Sequence, residues 1–530
     1  MRRINVDQYV TMDRRQVLRG LIGSTGLTVG APFLSGCEAP VKSFDRDPFS
    51  LGIASGEPSA DGVVLWTNIT PPPAQTKNAM SVRWEIANDD RMIDKIQSGE
   101  TMAHPDLGHA VHVEVDGLSP ARDYFYRFYV GGEASVVGRT KTTPIFNAPT
   151  DMLRFAVCGC QRRDHGHFTA FQHLAAEDVD FVYHYGDYIY PSMWRRAKDW
   201  AWVQLGMKHD WPEDELQSLN YYRQRYALYK SDPLLQAAHA SAPFITIWDD
   251  HDVDNNWAAD TDQFDGPPEL FLLRRAAAFQ VFYEMMPLRR SSMPNGSSMR
   301  AYRRFAWGDL ANINVLDTRQ YRSNQPCGDG KKSREQCPDS LAPGRTMLGD
   351  EQEAWLFDGL GRSQLRWNIL AQQVMIMQHD RSERSDVNGY HMDKWDGAVA
   401  ARDRLLNFVQ ENSVPNLVAL TGDVHEHMAG ELKADFNEPT SATLGHEFVA
   451  TSITSSGDGV DQPKGWDKVM SKNPHMAFLN DQRGYAICDV TPELWTTHFR
   501  TVDYVSKPDA EIKTRRSLSI ESGKPGLVDT

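Results

Sequence analysis

Phe181-Val182-Tyr183-His184-Tyr185-Gly186-Asp187-Tyr188-Ile189-Tyr190 is the stretch on which the fold turns. An apolar run of strand length, rich in aromatic and β-branched residues, stops at a glycine. A carboxylate and two phenols follow it. That order reads as a buried strand ending in a turn that carries chemistry. The same order recurs at three other places. Phe155-Ala156-Val157 leads into Cys158-Gly159-Cys160-Gln161. Ile245-Thr246-Ile247-Trp248 leads into Asp249-Asp250-His251-Asp252-Val253-Asp254-Asn255-Asn256, and Ala419-Leu420-Thr421 into Gly422-Asp423-Val424-His425-Glu426-His427. Helical patterns lie near 166–177, 267–285 and 399–411, and Arg303 to Leu316 reads as a hairpin turning at Gly308-Asp309. Short buried strands alternating with helices predict an α/β sheet covered by helices. In such sheets the strand ends meet in one crevice. Thiols, carboxylates, phenols and imidazoles would then converge, a donor set that suits metal ions.

Upstream, residues 47–146 read differently. Ser81 to Ile86 and His109 to Val115 alternate apolar and polar residues, with turn clusters between them. Leu118-Ser119-Pro120 followed by Tyr124-Phe125-Tyr126 resembles a fibronectin type III sandwich with a corner tyrosine. The start of the chain reads as an address. Arg14-Arg15, a Gly-diluted apolar stretch and Leu34-Ser35-Gly36-Cys37 resemble a twin-arginine export signal ending in a lipobox, over residues 1–37. Export by the twin-arginine machinery to the periplasm or cell envelope, with a lipid anchor at Cys37, is the expectation. A chance cysteine in an ordinary signal is the alternative. Residues 506–530 are charged and read as a loose C-terminal tail.

Composition bounds the rest. The 530 residues carry 56 basic and 71 acidic side chains, a net charge of −15 that disfavours nucleic-acid binding. No apolar run long enough to span a membrane follows the first forty residues. Six cysteines are too few for a disulfide scaffold, so each is read singly. Cys327 and Cys337, in one loop of an exported chain, are a disulfide candidate. Cys488 reads as a buried filler.

Gly186-Asp187-x-x-Tyr190 resembles the GDxxY element of purple-acid-phosphatase-type metallophosphoesterases. With "CQ", "WDDHDVDNNW", "LDTRQYR" and "LTGDVHEH" in that order, the chain resembles the alkaline phosphatase D (PhoD-like) family across nearly its whole length. The resemblance implies a four-layer αββα metallophosphoesterase domain over 151–505, behind the N-terminal β-sandwich at 47–146. It also implies metal ligands at Cys160, Asp187, Tyr190, Asp250, Asp423 and His425. Asp187 would bridge two cations and Tyr190 would bind iron. Strand alternation leaves Cys158 as a competitor of Cys160, and Gln373 or His379 lies where the superfamily has a further histidine.

The implied cofactors are Fe³⁺ and calcium, with zinc or manganese left open by residue type. Paired cations would clamp a phosphate ester and activate a bound water for in-line attack. His251 would protonate the leaving group, and Arg319 would hold a phosphate oxygen bidentately. The substrate is a phosphate mono- or diester. A diesterase or phospholipase acting on teichoic acid or phospholipid is the alternative enzyme, and an envelope lipoprotein with a structural metal site the non-enzyme one. His184 and His427 read as structural. Arg162, Arg163, Arg195 and Arg196 read as a solvated face or an anion-attracting rim. The tryptophans at 194, 200, 202 and 211 read as packing or a substrate-facing lid.

Overall fold

The computed structural model describes residues 44–191, 218–328 and 335–530. The export signal, the tryptophan-rich insertion with Arg195 and Arg196, and most of the loop between Cys327 and Cys337 lie outside them.

Two large sheets face each other. The ten-stranded sheet has a parallel centre of Leu153–Cys158, Phe181–His184 and Phe244–Thr246. Strands Arg483–Val490, Leu494–Val502, Ile512–Glu521 and Val528–Asp529 extend it antiparallel on one side. The seven-stranded sheet has a parallel centre of Ala311–Val315, Trp367–Ala371, Leu417–Thr421 and Thr443–Val449. Its edge hairpin, Arg303–Trp307 against Ala311–Val315, turns where the sequence places it. Phe181–His184, Phe244–Thr246 and Leu417–Thr421 are buried along their whole length, which is why they read as short apolar runs.

Aromatic side chains fill the space between the sheets: Phe155 meets Trp495 edge-on at 5.8 Å, and Trp495 meets Trp367 at 5.7 Å. Helices cover the outer faces, with Leu219–Lys230, Pro233–Ser241 and Pro268–Met285 on the first sheet and Gly349–Arg362 and Val399–Glu411 on the second. Local rules set their ends. The Asp232 carboxylate, for example, caps Pro233–Ser241 by accepting from the Leu234 and Leu235 N–H groups. The architecture is the expected αββα sandwich. Among the described residues no helix is long and apolar enough to cross a membrane.

The N-terminal strands form a sandwich with its own core around Val82, Ile86, Tyr124, Tyr126 and Phe128. The Tyr124 hydroxyl accepts from the Ser119 N–H at 2.8 Å and donates to the Ser119 carbonyl at 3.3 Å, the corner the sequence predicts. One sheet of this sandwich is not separate. Strands Ile53–Gly56, Val63–Asn68 and Ala110–Val115 continue the ten-stranded sheet through a parallel pairing of Gly56 with Phe244.

The tail corrects an expectation. Residues 506–530 are not a loose arm, because Ile512–Glu521 pairs along the whole of Leu494–Val502. Lys513 and Arg515 are exposed, Arg516 packs over the Phe478 ring, and Leu518 and Ile520 face the core, so the charge that suggested disorder belongs to a paired strand. Ending the chain at Asp509 should uncover the edge of Leu494–Val502 and the surroundings of Trp495, giving an aggregating or much less heat-stable protein. A truncated protein with unchanged melting temperature would contradict this placement.

Candidate metal centre

The crevice lies where strand ends of both sheets meet. The loops after Cys158, His184 and Thr246 come from the ten-stranded sheet, and the loop after Thr421 comes from the seven-stranded one. The first two loops are tied directly, the Cys160 N–H to the Gly186 carbonyl and the Gln161 N–H to the Asp187 carbonyl. Asp252 fixes the third against the second. Its carboxylate accepts from the N–H groups of Asp187 at 2.8 Å, Tyr188 at 3.1 Å and Asp249 at 2.9 Å. The Tyr185 ring fills the space beside Gly159 and Gly422, where any side chain would collide with it.

These turns hold the donors in unusual backbone conformations. Cys160, Asp187, Asp423 and His425 all have positive φ, between 51° and 66°. Left-handed backbone at non-glycine residues is costly and gathers at functional sites.

Three groups of donor atoms result, each with its atoms within 4.8 Å of one another: Cys160, Asp187 and His425; Asp187, Asp250 and His251; and Asp249, Asp250 and Asp423. Shared carboxylates link them in a row. Asp187 stands between the first two with its oxygens divided. One accepts from the Tyr190 hydroxyl at 2.7 Å and the Cys160 thiol at 3.3 Å, and the other accepts from the His251 N–H at 3.1 Å. Tyr190 also lies 3.3 Å from the His425 ring, whose other nitrogen meets the Ser456 hydroxyl at 2.9 Å.

The geometry thus brings together all six expected ligands and His251. It decides between the two cysteines for this cluster. The strand ends at Cys158 and the chain turns left-handed at Cys160, so alternation does not carry across and only Cys160 joins the donors. Asp249 was not anticipated. Its strand ends at Thr246, so the consecutive residues Asp249 and Asp250 both turn inward.

The electrostatics describe a site crowded with anions. Burial, then Asp250, Asp249 and Asp252, holds the Asp187 carboxyl well above the usual carboxylate range. Burial pushes Asp423 up to about 7 against the pull of Arg319. Burial, and then Asp187, raises the Cys160 thiol and the Tyr190 phenol. Asp250 is instead held low, because His251 and Arg319 outweigh its burial. Buried like charges of this kind ask for cations. The donors fit: thiol, phenol and imidazole on one side, and carboxylates on the other.

Arg319 corrects a second expectation. It is not placed to clamp a phosphate, being 0% exposed with every guanidinium nitrogen facing a carboxylate. It donates to Asp249 at 2.6 Å, to both oxygens of Asp393 at 2.8 and 2.9 Å, and to Asp423 at 3.3 Å. Arg162 and Arg163 are not a solvated rim either. Arg162 pairs with Asp164 and lies over the Tyr190 ring at 4.9 Å, and Arg163 pairs with Asp232 at 3.2 Å. His184 and His427 are structural, held by Gln161 and by the Thr451 N–H. Gln373 is buried, its side chain accepting from Thr318 and its carbonyl accepting from the Gly422 N–H. His379 lies 3.4 Å from Lys394.

The donors open into a cavity of about 500 Å³, lined by Asp187, Asp250, His251, Asp423, His425, Asn255 and Asn256 on one side. Arg381, His391, Asp393 and Lys394 form the other. That second wall was not anticipated, although Tyr390-His391-Met392-Asp393-Lys394 is a dense cluster of titratable residues.

Comparison with known proteins now decides the family. The family model described as "PhoD-like phosphatase" matches residues 155–499, and that described as "PhoD-like phosphatase, N-terminal domain" matches residues 36–144. The chain belongs to the PhoD-like phosphatase family. It is 43% identical over 528 residues to "Alkaline phosphatase D" of Bacillus subtilis (strain 168), covering 98% of this chain and 89% of that one. A solved structure titled "Structure of PhoD" superposes with a TM-score of 0.87 at 44% identity, covering 92% of this chain and 93% of that one. This PhoD-like phosphatase is therefore an enzyme that hydrolyses phosphoric esters, of a family of metalloenzymes, and the three donor groups are its candidate metal sites.

Arg319→Met should strand the buried carboxylates of Asp249 and Asp393 and the half-buried one of Asp423. We expect a loss of about 3–5 kcal/mol of stability, read by thermal unfolding, together with loss of activity. A phosphate clamp would instead show a raised KM at unchanged melting temperature, and that result would overturn the structural role.

Proposed function

We propose that this chain is an exported, metal-dependent alkaline phosphatase whose reaction takes place in the cavity between the donor row and the 381–394 wall. The division of the Asp187 oxygens between a thiol–phenol–imidazole group and a carboxylate group carries the reading. Cys160, Tyr190, His425 and one oxygen of Asp187 would hold a ferric ion. The other oxygen of Asp187, with Asp249, Asp250 and Asp423, would hold calcium. Such cations supply charge neutralisation on the phosphate and activation of water.

The chain's own residues do the positioning. Asp252 fixes the turn that aims Asp187. Arg162 lies over the Tyr190 ring and holds it against the donor row. Arg319 holds Asp249 and Asp423 in place and opposes the upward push of burial on both carboxyls. His251 is fixed at its backbone by Asp187 and Asp250 and lines the cavity, which supports a role for its imidazole in giving a proton to the departing alkoxide. Asn255 and Asn256 offer polar groups beside it.

The Cys327–Cys337 disulfide supports an oxidising compartment, consistent with the Arg14-Arg15 signal and with a lipid anchor at Cys37. Residues 1–43 lie outside the described ones.

Asp187→Asn should lower kcat/KM on p-nitrophenyl phosphate by on the order of 10³-fold and reduce bound metal. Cys160→Ser should lose iron selectively, with any visible tyrosinate absorption. A fully metallated, fully active Asp187→Asn protein would end this reading. Relative rates on p-nitrophenyl phosphate and its bis ester report whether monoesters or diesters are preferred.

A further inference from the structure

With Arg319 saturated, the phosphoryl group has no cation among the residues first expected to hold it. The wall facing the carboxylates supplies two. Lys394 lines the cavity yet is 2% exposed. Its ammonium group has soft neighbours, the Met375 sulfur at 3.4 Å and the His379 Nδ1 at 3.4 Å. Among the described residues no carboxylate lies within ion-pair distance of it, unlike Arg319, Arg322 and Arg402 nearby. A buried ammonium without an anion is poorly satisfied, and a pocket-lining one is open to an anionic ligand.

His379 suits the task of aiming it. Burial, then the charge of Lys394, keeps that imidazole neutral, so its Nδ1 can accept from the ammonium. The backbone N–H of His379 donates to the Asp396 carboxylate at 3.1 Å, which fixes the chain at that residue. Burial, then Arg381, pushes the Lys394 amine down to about 8, against the pull of Asp423, Asp396 and Glu426, none of which reaches it as an ion pair. Arg381 stands on the same wall with a side chain 39% exposed, and its guanidinium reaches Glu426 only at 3.9 Å. It is therefore free to move toward a ligand.

We propose that Lys394, aimed by His379, is the side-chain cation that binds the substrate's phosphoryl group, and that Arg381 extends this contact to the cavity rim. The ligand is a phosphate-ester dianion or the inorganic phosphate released from it. The inference rests on the phosphatase reading above. It assigns to the 381–394 wall the role that Arg319 cannot fill.

The test uses the metal-loaded enzyme, with metal content and melting temperature measured for every variant. The probes are p-nitrophenyl phosphate as substrate and inorganic phosphate as competitive inhibitor. Lys394→Met keeps the length and packing but removes the charge. It should lower kcat/KM by about a hundredfold and raise the phosphate Ki about tenfold or more, at wild-type metal content. Arg381→Ala should raise KM several-fold with kcat largely kept. If Lys394→Met is not recovered folded, Lys394→Ala assayed with added ethylamine replaces it. Partial return of kcat with the amine supports the proposal, since a packing role would not respond. A kcat/KM and phosphate Ki within twofold of wild type in Lys394→Met, or no response to amine in Lys394→Ala, would overturn it. A wild-type enzyme that is fully metallated yet neither hydrolyses the ester nor binds phosphate would instead overturn the phosphatase reading, and this proposal with it.

Discussion

Much of the molecule is organised by mutual repulsion of buried carboxylates. Asp187, Asp249 and Asp250 are buried in one crevice with a thiol and a phenol, and Asp423 is half-buried beside them. Left alone, such a group would protonate or spread apart. Arg319 opposes that by bridging Asp249, Asp393 and Asp423. A second arginine, Arg322, shares Asp393, and Gln325 donates to the same carboxylate at 2.6 Å. One guanidinium's charge does not balance the whole row, so the remaining deficit defines what the site must bind.

The scaffold holds the row together by geometry that a flexible loop could not keep. Left-handed turns at Cys160, Asp187, Asp423 and His425 place each donor one residue or more beyond its strand. The Tyr185 ring, wedged beside Gly159 and Gly422 and bonded to the Thr451 carbonyl at 2.9 Å, locks the first and last of these turns to each other. Sheet-on-sheet packing through Trp495, Trp367 and Phe155 then sets the spacing of the two strand systems. The outer strand Ile512–Glu521 belongs to the same support, with Ile520 opposite Trp495. Strain in the turns is maintained because rigid packing surrounds it.

Much of this was legible in the sequence, for a physical reason. Parallel strands buried on both faces must be continuous apolar runs, so their ends are visible as abrupt changes of chemistry, and Asp187, Tyr190, Asp250, Asp423 and His425 all sit at such changes. The corner at Tyr124 was legible because one hydroxyl and one turn suffice to make it. Side-chain pairing over long sequence separation was not. Nothing in Asp317-Thr318-Arg319-Gln320 shows that carboxylates 70, 74 and 104 residues away will consume the guanidinium. Likewise Lys394 and Arg381 enter the site from a loop with no strand-end signature. The strand at 512–521 was masked by Lys513, Arg515 and Arg516, whereas the alternation of Leu518 and Ile520 with Ser517 and Ser519 was its cue.

The central claim is that cations complete the electrostatics of the row and so support both fold and reaction. The direct measurement is thermal unfolding and ester hydrolysis followed in parallel while metal is stripped and restored. Ligands that bind the folded state alone stabilise it, so removal should lower the melting temperature by several degrees as activity disappears. Adding back iron and calcium should restore both together. A protein shown by elemental analysis to be metal-free, yet with unchanged melting temperature and undiminished hydrolysis, would contradict the account.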